Sequence, residues 1–442
     1  MTKRRRIVST VIVIAACTVI AVIFLGPVFL NSDHYRSQII SYFEQSTGKK
    51  VEIERIAISF FPQTIIHIQN FGVKSPPLFP PSYILKVPQA DVVVDFWPLL
   101  RRNIVIRSLV LHEPVINLIS DPDGPWNFEN PQTQNSKNLF PLGIIDKMLI
   151  NRGQLIVSNL LPSDAQGPVF LEAHDIYSEL DRVDLAAIVN PASHALNGQG
   201  HWKAARLRFG SVETTDVNAK FRLESKEVIF TDLQADAYSG KATGDFSISF
   251  AKPTASFKAD ARMSGINMTD LLASFHEVRG RITGILAGDL KLRGDIEHTN
   301  NPLAHMHGIG HLKLTNGQVP SLMLNANLMK LAHFNNLGPA KENPASFSFI
   351  STDLELENLR ITSKVIDIDG YGVDVDGSGS VSVSGSDDLN YWGVATITTK
   401  QGFFTNTFAR FEGAKLVDGK LTFPFRIQGK IEDPKFSKGS KE

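Results

Sequence analysis

Cysteine is almost missing from this sequence, since Cys17 is the only one in 442 residues. A lone cysteine excludes an intramolecular disulfide. Its position near the N-terminus also leaves no Cys-based zinc site and no cysteine nucleophile in the rest of the chain.

Neither sign of charge is in excess, because 45 Lys and Arg balance 45 Asp and Glu. Proteins that bind nucleic acid through its phosphates carry a basic surface, so the balance argues against that partner. The sequence also lacks a Gly-x-Ser-x-Gly elbow, a His-Glu-x-x-His helix and a Walker A loop. Gly377-Ser378-Gly379 follows no strand-to-helix turn, which argues against a phosphate cradle. We therefore expect no enzyme activity and no cofactor.

Two short segments are rich in residues that can bind metals. His305-Met306-His307-Gly308-Ile309-Gly310-His311 places residues 305 and 307 on one strand face, as two metal ligands can be placed. Because no carboxylate is close in sequence, water-exposed histidines are favoured. Asp367-Ile368-Asp369-Gly370 and Asp374-Val375-Asp376-Gly377 are similar to calcium loops but lack the closing glutamate of an EF-hand. No metal site is predicted.

The longest apolar run is Ile7–Leu30, which contains no charged residue. About 20 apolar residues in a helix suffice to cross the hydrocarbon core of a bilayer. Basic residues occupy positions 3–6, and only Asp33, His34 and Arg36 follow the run closely. The positive-inside rule then places residues 1–6 in the cytoplasm and residues 31–442 on the other side of the membrane.

Two other interpretations of the apolar run stay open. A cleaved signal peptide has a shorter apolar core and a small-x-small cleavage site, whereas this run ends in Gly26-Pro27-Val28-Phe29-Leu30. Ile14-Ala15-Ala16-Cys17 is similar to the lipobox of bacterial lipoproteins. A lipobox ends the apolar region, but here Thr18–Leu25 continues it. An uncleaved transmembrane helix is therefore favoured, with Cys17 facing lipid.

Beyond residue 50, apolar residues recur with a period of two, which indicates β-strands. Asn31–Gly48 precedes these strands and predicts one amphipathic helix with a glycine stop. Turn dipeptides such as Asn316-Gly317 separate the strands and predict hairpins. Short helices are expected at Ile144–Ile150, Met268–Phe275 and Leu322–Phe334. The predicted fold is mainly β, with a single N-terminal transmembrane helix followed by a long, curved, largely antiparallel sheet.

The alternation places one set of apolar residues on a common face of this sheet. It is clearest around residues 90–96, 246–263 and 421–427. The residues that we assign to this face are Val92, Val94, Phe96, Phe246, Ile248, Phe250, Phe257, Leu421, Phe423 and Phe425.

Five short motifs follow the apolar run. They are Thr47-Gly48-Lys49-Lys50-Val51, Ile58-Ser59-Phe60-Phe61-Pro62, Trp97-Pro98-Leu99-Leu100, Leu111-His112-Glu113-Pro114-Val115-Ile116 and Asp121-Pro122-Asp123-Gly124-Pro125-Trp126-Asn127. In this order behind a predicted membrane anchor, they resemble the N-terminal signature of the AsmA family. The stretches 238–244, 423–429 and 433–436 are similar to the C-terminal part of the same family, so the resemblance spans nearly the whole chain.

The resemblance implies a division of the chain and a location. Residues 31–135 would form an N-terminal AsmA-like domain, residues 136–436 would continue the same β-groove, and residues 437–442 would be a disordered tail. Residues 7–30 would anchor the protein in the bacterial inner membrane, with residues 31–442 in the periplasm.

The resemblance also implies a function. The sheet would curl into a groove that conducts or shuttles phospholipid toward the outer membrane and supports its homeostasis. The apolar face residues are then the lipid-groove candidates, and phospholipid and envelope proteins are the expected partners. The alternative function is a non-enzymatic scaffold or assembly factor for outer-membrane proteins or other envelope components. A scaffold should pack its apolar face against a second sheet, whereas a lipid conduit should leave that face open.

Overall fold

The computed structural model describes residues 33–100, 105–121, 126–128, 144–160, 166–184, 196–225, 227–249, 256–275, 280–295, 306–332, 345–382, 388–397, 415–418, 420–431 and 433–439. The chain divides into two compact units. The first contains the residues up to Gly210 and Asp216–Ile229, and the second contains Ser211–Thr215 and the residues from Phe230 on.

Both units are mainly β, as the sequence predicts. No helix among the described residues is long and apolar enough to cross a bilayer. The predicted transmembrane helix at residues 7–30 lies outside the described residues, as do residues 440–442 of the predicted disordered tail. Ser437 and Lys438, which the same prediction assigned to the tail, form the end of the last strand.

The first unit opens with helix α1 (Asp33–Thr47), and Gly48 in the left-handed conformation (φ 65°) follows its last residue. Leu-rich and Ile-rich alternating segments then form strands. These are β1 (Val51–Glu52), β2 (Arg55–Ser59), β3 (Thr64–Lys74), β4 (Tyr83–Val94), β5 (Ile106–His112), β6 (Val115–Ser120), β7 (Ile144–Leu160), β8 (Gln166–Asp184) and β9 (Leu196–Phe209), with the short helix α2 (Phe96–Leu100) after β4.

Helix α1 packs on one face of the first three strands, β1–β3. Its residues Ile39, Ile40 and Phe43 pack against buried Val51, Ile53 and Ile56 and against β3. This packing explains the helical spacing of apolar residues in α1, because only one stripe of the helix meets the sheet.

The strand pairs of the first unit are antiparallel, except that β5 and β6 pair with β7 in parallel. Strands β5 and β6 both run parallel to β7 in one register, so the chain keeps its direction past Glu113 (φ 52°), which separates them. The predicted helix at Ile144–Ile150 is therefore wrong, since these residues begin β7. Ile145 is buried while Ile144 is exposed, which is strand alternation. A short apolar run fits both periods, and the long-range pairing with Ser108–His112 decides between them.

Strands β10 (Val212–Ser225) and β11 (Glu227–Ala237) carry the chain from the first unit into the second. The strands that follow are β12 (Gly240–Ser249), β13 (Ser256–Asn267), β14 (Thr283–Asp295), β15 (Met306–Gln318), β16 (Ser346–Glu357), β17 (Arg360–Asp369), β18 (Val373–Ser382), β19 (Asp388–Ile397), β20 (Lys415–Val417), β21 (Lys420–Lys430) and β22 (Asp433–Lys438). From β12 to β19 each strand pairs antiparallel with the next, and β19 pairs with β21. The predicted succession of antiparallel strands is confirmed here. The predicted hairpin turn at Asn316-Gly317 is wrong, because both residues lie within β15, where Gly317 opposes Phe347.

Two short helices of the second unit follow strands of the meander. Helix α3 (Met268–Ala273) starts at Asn267, whose side chain accepts hydrogen bonds from the backbone N–H groups of Thr269 and Asp270. Helix α4 (Leu324–Leu331) follows β15. Both predicted helices in this unit are confirmed, each slightly shorter than expected. They pack onto the same face of the sheet, at the strand ends near Gln318 and Asn267.

Glycines with positive φ let neighbouring strands of the second unit approach closely. At Gly288 (φ 150°) an added Cβ would collide with the carbonyl oxygen of His311, and at Gly244 (φ 153°) it would collide with that of Asp260. Both positions therefore need glycine for conformation and for space.

We expect Gly288→Ala to lower the free energy of unfolding by about 1–3 kcal/mol, the typical cost of forcing a side chain into such a backbone region. Gly198→Ala is the matched control, because its Cβ would meet nothing closer than 3.8 Å. Thermal unfolding of both variants measures the difference, and equal midpoints would show that the strands at Gly288 can relax.

Candidate functional site

One row of directly opposed residues crosses eight strands of the second unit, and each member is apolar or glycine. Opposed residues of an antiparallel pair lie on the same face of the sheet, so the register fixes this assignment. The apolar row consists of Phe246, Ala259, Leu292, Gly308, Leu356, Ile361, Val381 and Leu389, from β12 to β19.

The neighbouring row on the opposite face is polar at nearly every strand. It consists of Asp245, Asp260, Lys291, Ile309, Glu355, Thr362, Ser380 and Asn390. The sheet of the second unit is therefore two-sided, and its apolar side is continuous across the strands.

Aromatic side chains begin the apolar face at β11–β13. The rings of Phe230 and Phe246 are 6.4 Å apart between centroids, and those of Phe246 and Phe257 are also 6.4 Å apart. Ile248 lies directly opposite Phe257. The structure thus brings together three of the predicted face residues, Phe246, Ile248 and Phe257. The fourth in this region, Phe250, lies outside the described residues.

The side chains of the apolar row are half-buried, and the backbone of Gly308 is buried. Within the described part of the second unit all strands belong to one sheet, so no second sheet covers this face there. Half-buried Phe, Leu, Ile and Val side chains in one continuous surface form an apolar patch that soluble proteins seldom leave uncovered.

The predicted face residues of β21 have different surroundings. Leu421, Phe423 and Phe425 do lie on the apolar face, since they oppose Ile397, Ala395 and Gly393. However, they are 1%, 7% and 3% exposed and belong to one core cluster with Leu324, Leu328 and Met329 of α4. They are core residues beneath α4, so the open part of the face is the apolar row and not β21.

The predicted face residues of the first unit are divided between strand and helix. Val92 and Val94 share a face with Ile66 and Thr64 of β3. Phe96 was expected to continue this alternation, but it is the first residue of α2 because β4 ends at Val94. Its ring packs against Phe60 instead, with centroids 6.1 Å apart.

The histidine segment lies on the polar side of the second unit. His311 Nδ1 is 2.8 Å from Asp353 Oδ1, and His307 Nδ1 is 3.6 Å from Glu357 Oε1. His305 is outside the described residues. Among the described side chains, no group of three or more His, Cys, Asp and Glu residues has the geometry to hold a metal ion.

The two acidic segments form a hairpin in which carboxylates face one another. Asp367 lies opposite Asp376, and Asp369 lies opposite Asp374. Burial raises the pKa of Asp367 above its usual value, as do the charges of Asp376 and Asp369, although Lys313 offsets part of the effect. Burial and Asp369 likewise raise the pKa of Asp374, with Lys420 opposing the increase. Like charges directly opposite one another destabilise a strand pair.

We therefore expect Asp367→Asn to stabilise the second unit at neutral pH, by about 0.5 kcal/mol. An acid whose pKa is raised on folding favours the folded state when protonated, so the wild-type protein gains stability as the pH falls through the raised pKa. The difference between variant and wild type should vanish below the unfolded aspartate pKa of about 4. Thermal unfolding at pH 7 and pH 3.5 measures it.

Glu355→Gln provides the contrasting control, because Glu355 Oε2 lies 2.8 Å from Lys364 Nζ and its directly opposed residues, Ile309 and Thr362, are not acidic. We expect this variant to be equal to or slightly less stable than wild type at pH 7. A lower midpoint for Asp367→Asn at pH 7 would contradict the repulsion.

A polar cluster in the first unit was not found from the sequence. Asp91 accepts hydrogen bonds on both carboxylate oxygens, with His67 Nδ1 at 2.8 Å and His112 Nε2 at 3.0 Å, and Gln89 adds a third donor. Burial raises the pKa of Asp91, but the hydrogen bonds from His67, Gln89 and His112 outweigh burial and lower it overall. The register explains the cluster, since His67 opposes Asp91 and His112 opposes Gln89, two residues before Asp91 on the same side of the sheet.

Two residues of the fifth motif, Trp126 and Asn127, contact the end of β6. Asn127 is fully buried, and its side chain accepts from the Ile119 N–H (3.1 Å) and donates to the Asn117 carbonyl (2.9 Å). Trp126 is buried beside it and forms a bridge with Ser120. The fourth motif supplies Pro114, whose carbonyl accepts from Gln154 N–H at 2.7 Å. These residues therefore stabilise the parallel pairing of β5 and β6 with β7.

All five motifs lie within the region where the chain matches a known family. The family model of the AsmA family matches residues 1–142. This region belongs to the AsmA family. The AsmA match includes the apolar run, α1, and strands β1–β6, whereas the resemblance of the C-terminal stretches stays a prediction. No curated protein and no solved structure matches the chain.

Proposed function

We propose that this protein carries phospholipid along the apolar face of its sheet, from the inner membrane toward the outer membrane. The apolar row carries the proposal, because eight strands contribute apolar residues or glycine to one uninterrupted line on one face. A surface of this kind matches an acyl chain, which needs continuous apolar contact and no specific partner.

The energetic argument favours such a surface over free diffusion. Transfer of each acyl methylene into water costs about 0.8 kcal/mol, so two 16-carbon chains face a penalty on the order of 20 kcal/mol. An apolar face removes most of that barrier, because the methylenes leave one apolar environment for another. A row of similar residues without a deep pocket allows movement along it, and no catalytic residue is needed.

The location is part of the same proposal. The AsmA match begins at residue 1 and includes Ile7–Leu30, so it supports a protein of the bacterial envelope. We infer that residues 7–30 anchor the chain in the inner membrane with residues 1–6 in the cytoplasm. The remaining residues would then lie in the periplasm, between the two membranes that exchange lipid.

The alternative function as a scaffold receives less support from the second unit. Its last strand, β22, pairs only with β21 among the described strands and would be the natural edge for strand addition. However, this strand contains Pro434, Lys435 and Lys438, and proline and lysine are residues that block edge pairing. A partner would have to use another surface.

The proposal is tested by the phospholipid that co-purifies with the full chain, counted per mole of protein. Lipid bound around the membrane anchor contributes to this number, so the decisive comparison is with a variant that has the same anchor and an altered apolar face. We expect the wild-type chain to hold at least one phospholipid per mole more than that variant. Equal amounts would contradict the proposal.

A further inference from the structure

Four aromatic residues form a cluster at one end of the first unit. The rings of Phe60 and Phe96 are 6.1 Å apart and those of Phe96 and Trp97 are 5.4 Å apart, and Phe61 adjoins Phe60 in the chain. We call these four residues the aromatic end. Two of them point into solvent, since Phe61 and Trp97 are each 74% exposed. Large aromatic rings with this exposure indicate a surface that binds a partner.

The strand register places this cluster at a defined end of the sheet. Ser59 opposes Ile65 next to the β2–β3 connection, and Val93 opposes Ser108 next to the β4–β5 connection. Because β3 joins β2 to β4, both connections lie at the same end of the strands. Phe60 and Phe61 belong to the first connection, and Trp97 belongs to the second.

Helix α1 points its N-terminus toward the same end. Near the C-terminus of the helix, Glu44 Oε1 accepts from the Val51 N–H at 3.3 Å, and near its N-terminus Arg36 donates to the Glu54 carbonyl at 2.9 Å. Going backward along α1 therefore follows the direction in which the chain runs from Val51 toward Ser59. Residues 7–30 precede α1 in the sequence, and Asp33, the first described residue, is at the end of α1 that points this way.

We propose that the aromatic end inserts into the outer-facing interfacial layer of the membrane in which residues 7–30 are anchored. This inference rests on the anchor of the proposed function. Trp side chains favour the boundary between headgroups and acyl chains, where their amphipathic ring is partly dehydrated, and Phe side chains of interfacial segments enter the adjoining acyl layer. The occupant is thus a phospholipid bilayer.

The test uses tryptophan fluorescence of the full chain in phosphatidylethanolamine and phosphatidylglycerol vesicles whose acyl chains are brominated. The chain has four tryptophans, and none lies in residues 7–30. We expect the brominated lipid to quench part of the wild-type fluorescence. Trp97→Phe should lose that quenched part, and Trp392→Phe should retain it, although Trp392 is also exposed, at 52%.

Retention of the quenched fluorescence in Trp97→Phe, or the absence of quenching in wild type, would overturn the inference. Both replaced residues are surface residues, so neither substitution should affect folding. Lipid counted per mole in the same samples separates this inference from the proposed function. Quenching of Trp97 without bound phospholipid would contradict the proposed function alone, and bound phospholipid without quenching would contradict only the membrane contact.

Discussion

Phe423→Arg is expected to unfold the second unit rather than only to obstruct its apolar face. The Phe423 side chain is buried at the centre of the cluster that joins β18, β19 and β21 to α4. An arginine there would place a charge without a partner among Leu, Val and Phe side chains. The expected loss is on the order of 4 kcal/mol or more, which is a large part of the stability of a typical domain.

Limited proteolysis and thermal unfolding of the full chain measure this effect. We expect rapid cleavage within residues 306–438 in Phe423→Arg, while the first unit stays resistant. Thr422→Arg is the matched control, since Thr422 lies on the opposite face of the same strand, and it should be within about 0.5 kcal/mol of wild type. A Phe423→Arg protein as stable as wild type would show that α4 does not cover this part of the face.

Ile248→Asp is expected to remove lipid while leaving the protein folded. Ile248 is half-buried on the apolar face, opposite Phe257, and a carboxylate at its position can remain hydrated. An acyl chain passing it would have to dehydrate the charge, at a cost of about 2 kcal/mol or more. We therefore expect the phospholipid bound to the face to fall about tenfold or more, because 1.4 kcal/mol corresponds to a factor of ten.

Ser247→Asp is the control for this variant, because residue 247 lies opposite Lys258 on the polar side and is similarly half-buried. It should retain the wild-type amount of phospholipid, and both variants should unfold at nearly the wild-type temperature. If Ile248→Asp also retained its lipid, the bound lipid would have to lie elsewhere, for example around the anchor.

Within a strand, periodicity was enough to predict which residues share a face, although it wrongly extended β4 to Phe96. Phe246, Ile248 and Phe257 were assigned by alternation, and the register places them together because side chains in a strand point to opposite faces in turn. The same reasoning assigned Phe423 to this face correctly. It could not predict that α4 covers Phe423, since that contact depends on the path of the chain between β15 and β16.

Other features depend on contacts between residues that are distant in sequence. Ile144–Ile150 has apolar spacing that fits a helix or a strand, and only pairing with β5 decides the outcome. The cluster of His67, Asp91 and His112 joins three strands, so no local motif announces it. The only local signal is that His67, Asp91 and His112 are each a polar residue within an alternating, strand-like segment.

The most direct test of the central claim is photocrosslinking of labelled phospholipid to a photoreactive amino acid placed at neighbouring positions in the cell envelope. Ile248 and Ile361 lie on the apolar face at strands far apart in the second unit, while Ser247 and Thr362 lie on the polar face with similar exposure. The account predicts lipid label at residues 248 and 361 and none at 247 and 362. Equal label at all four positions, or no label at 248 and 361, would contradict it.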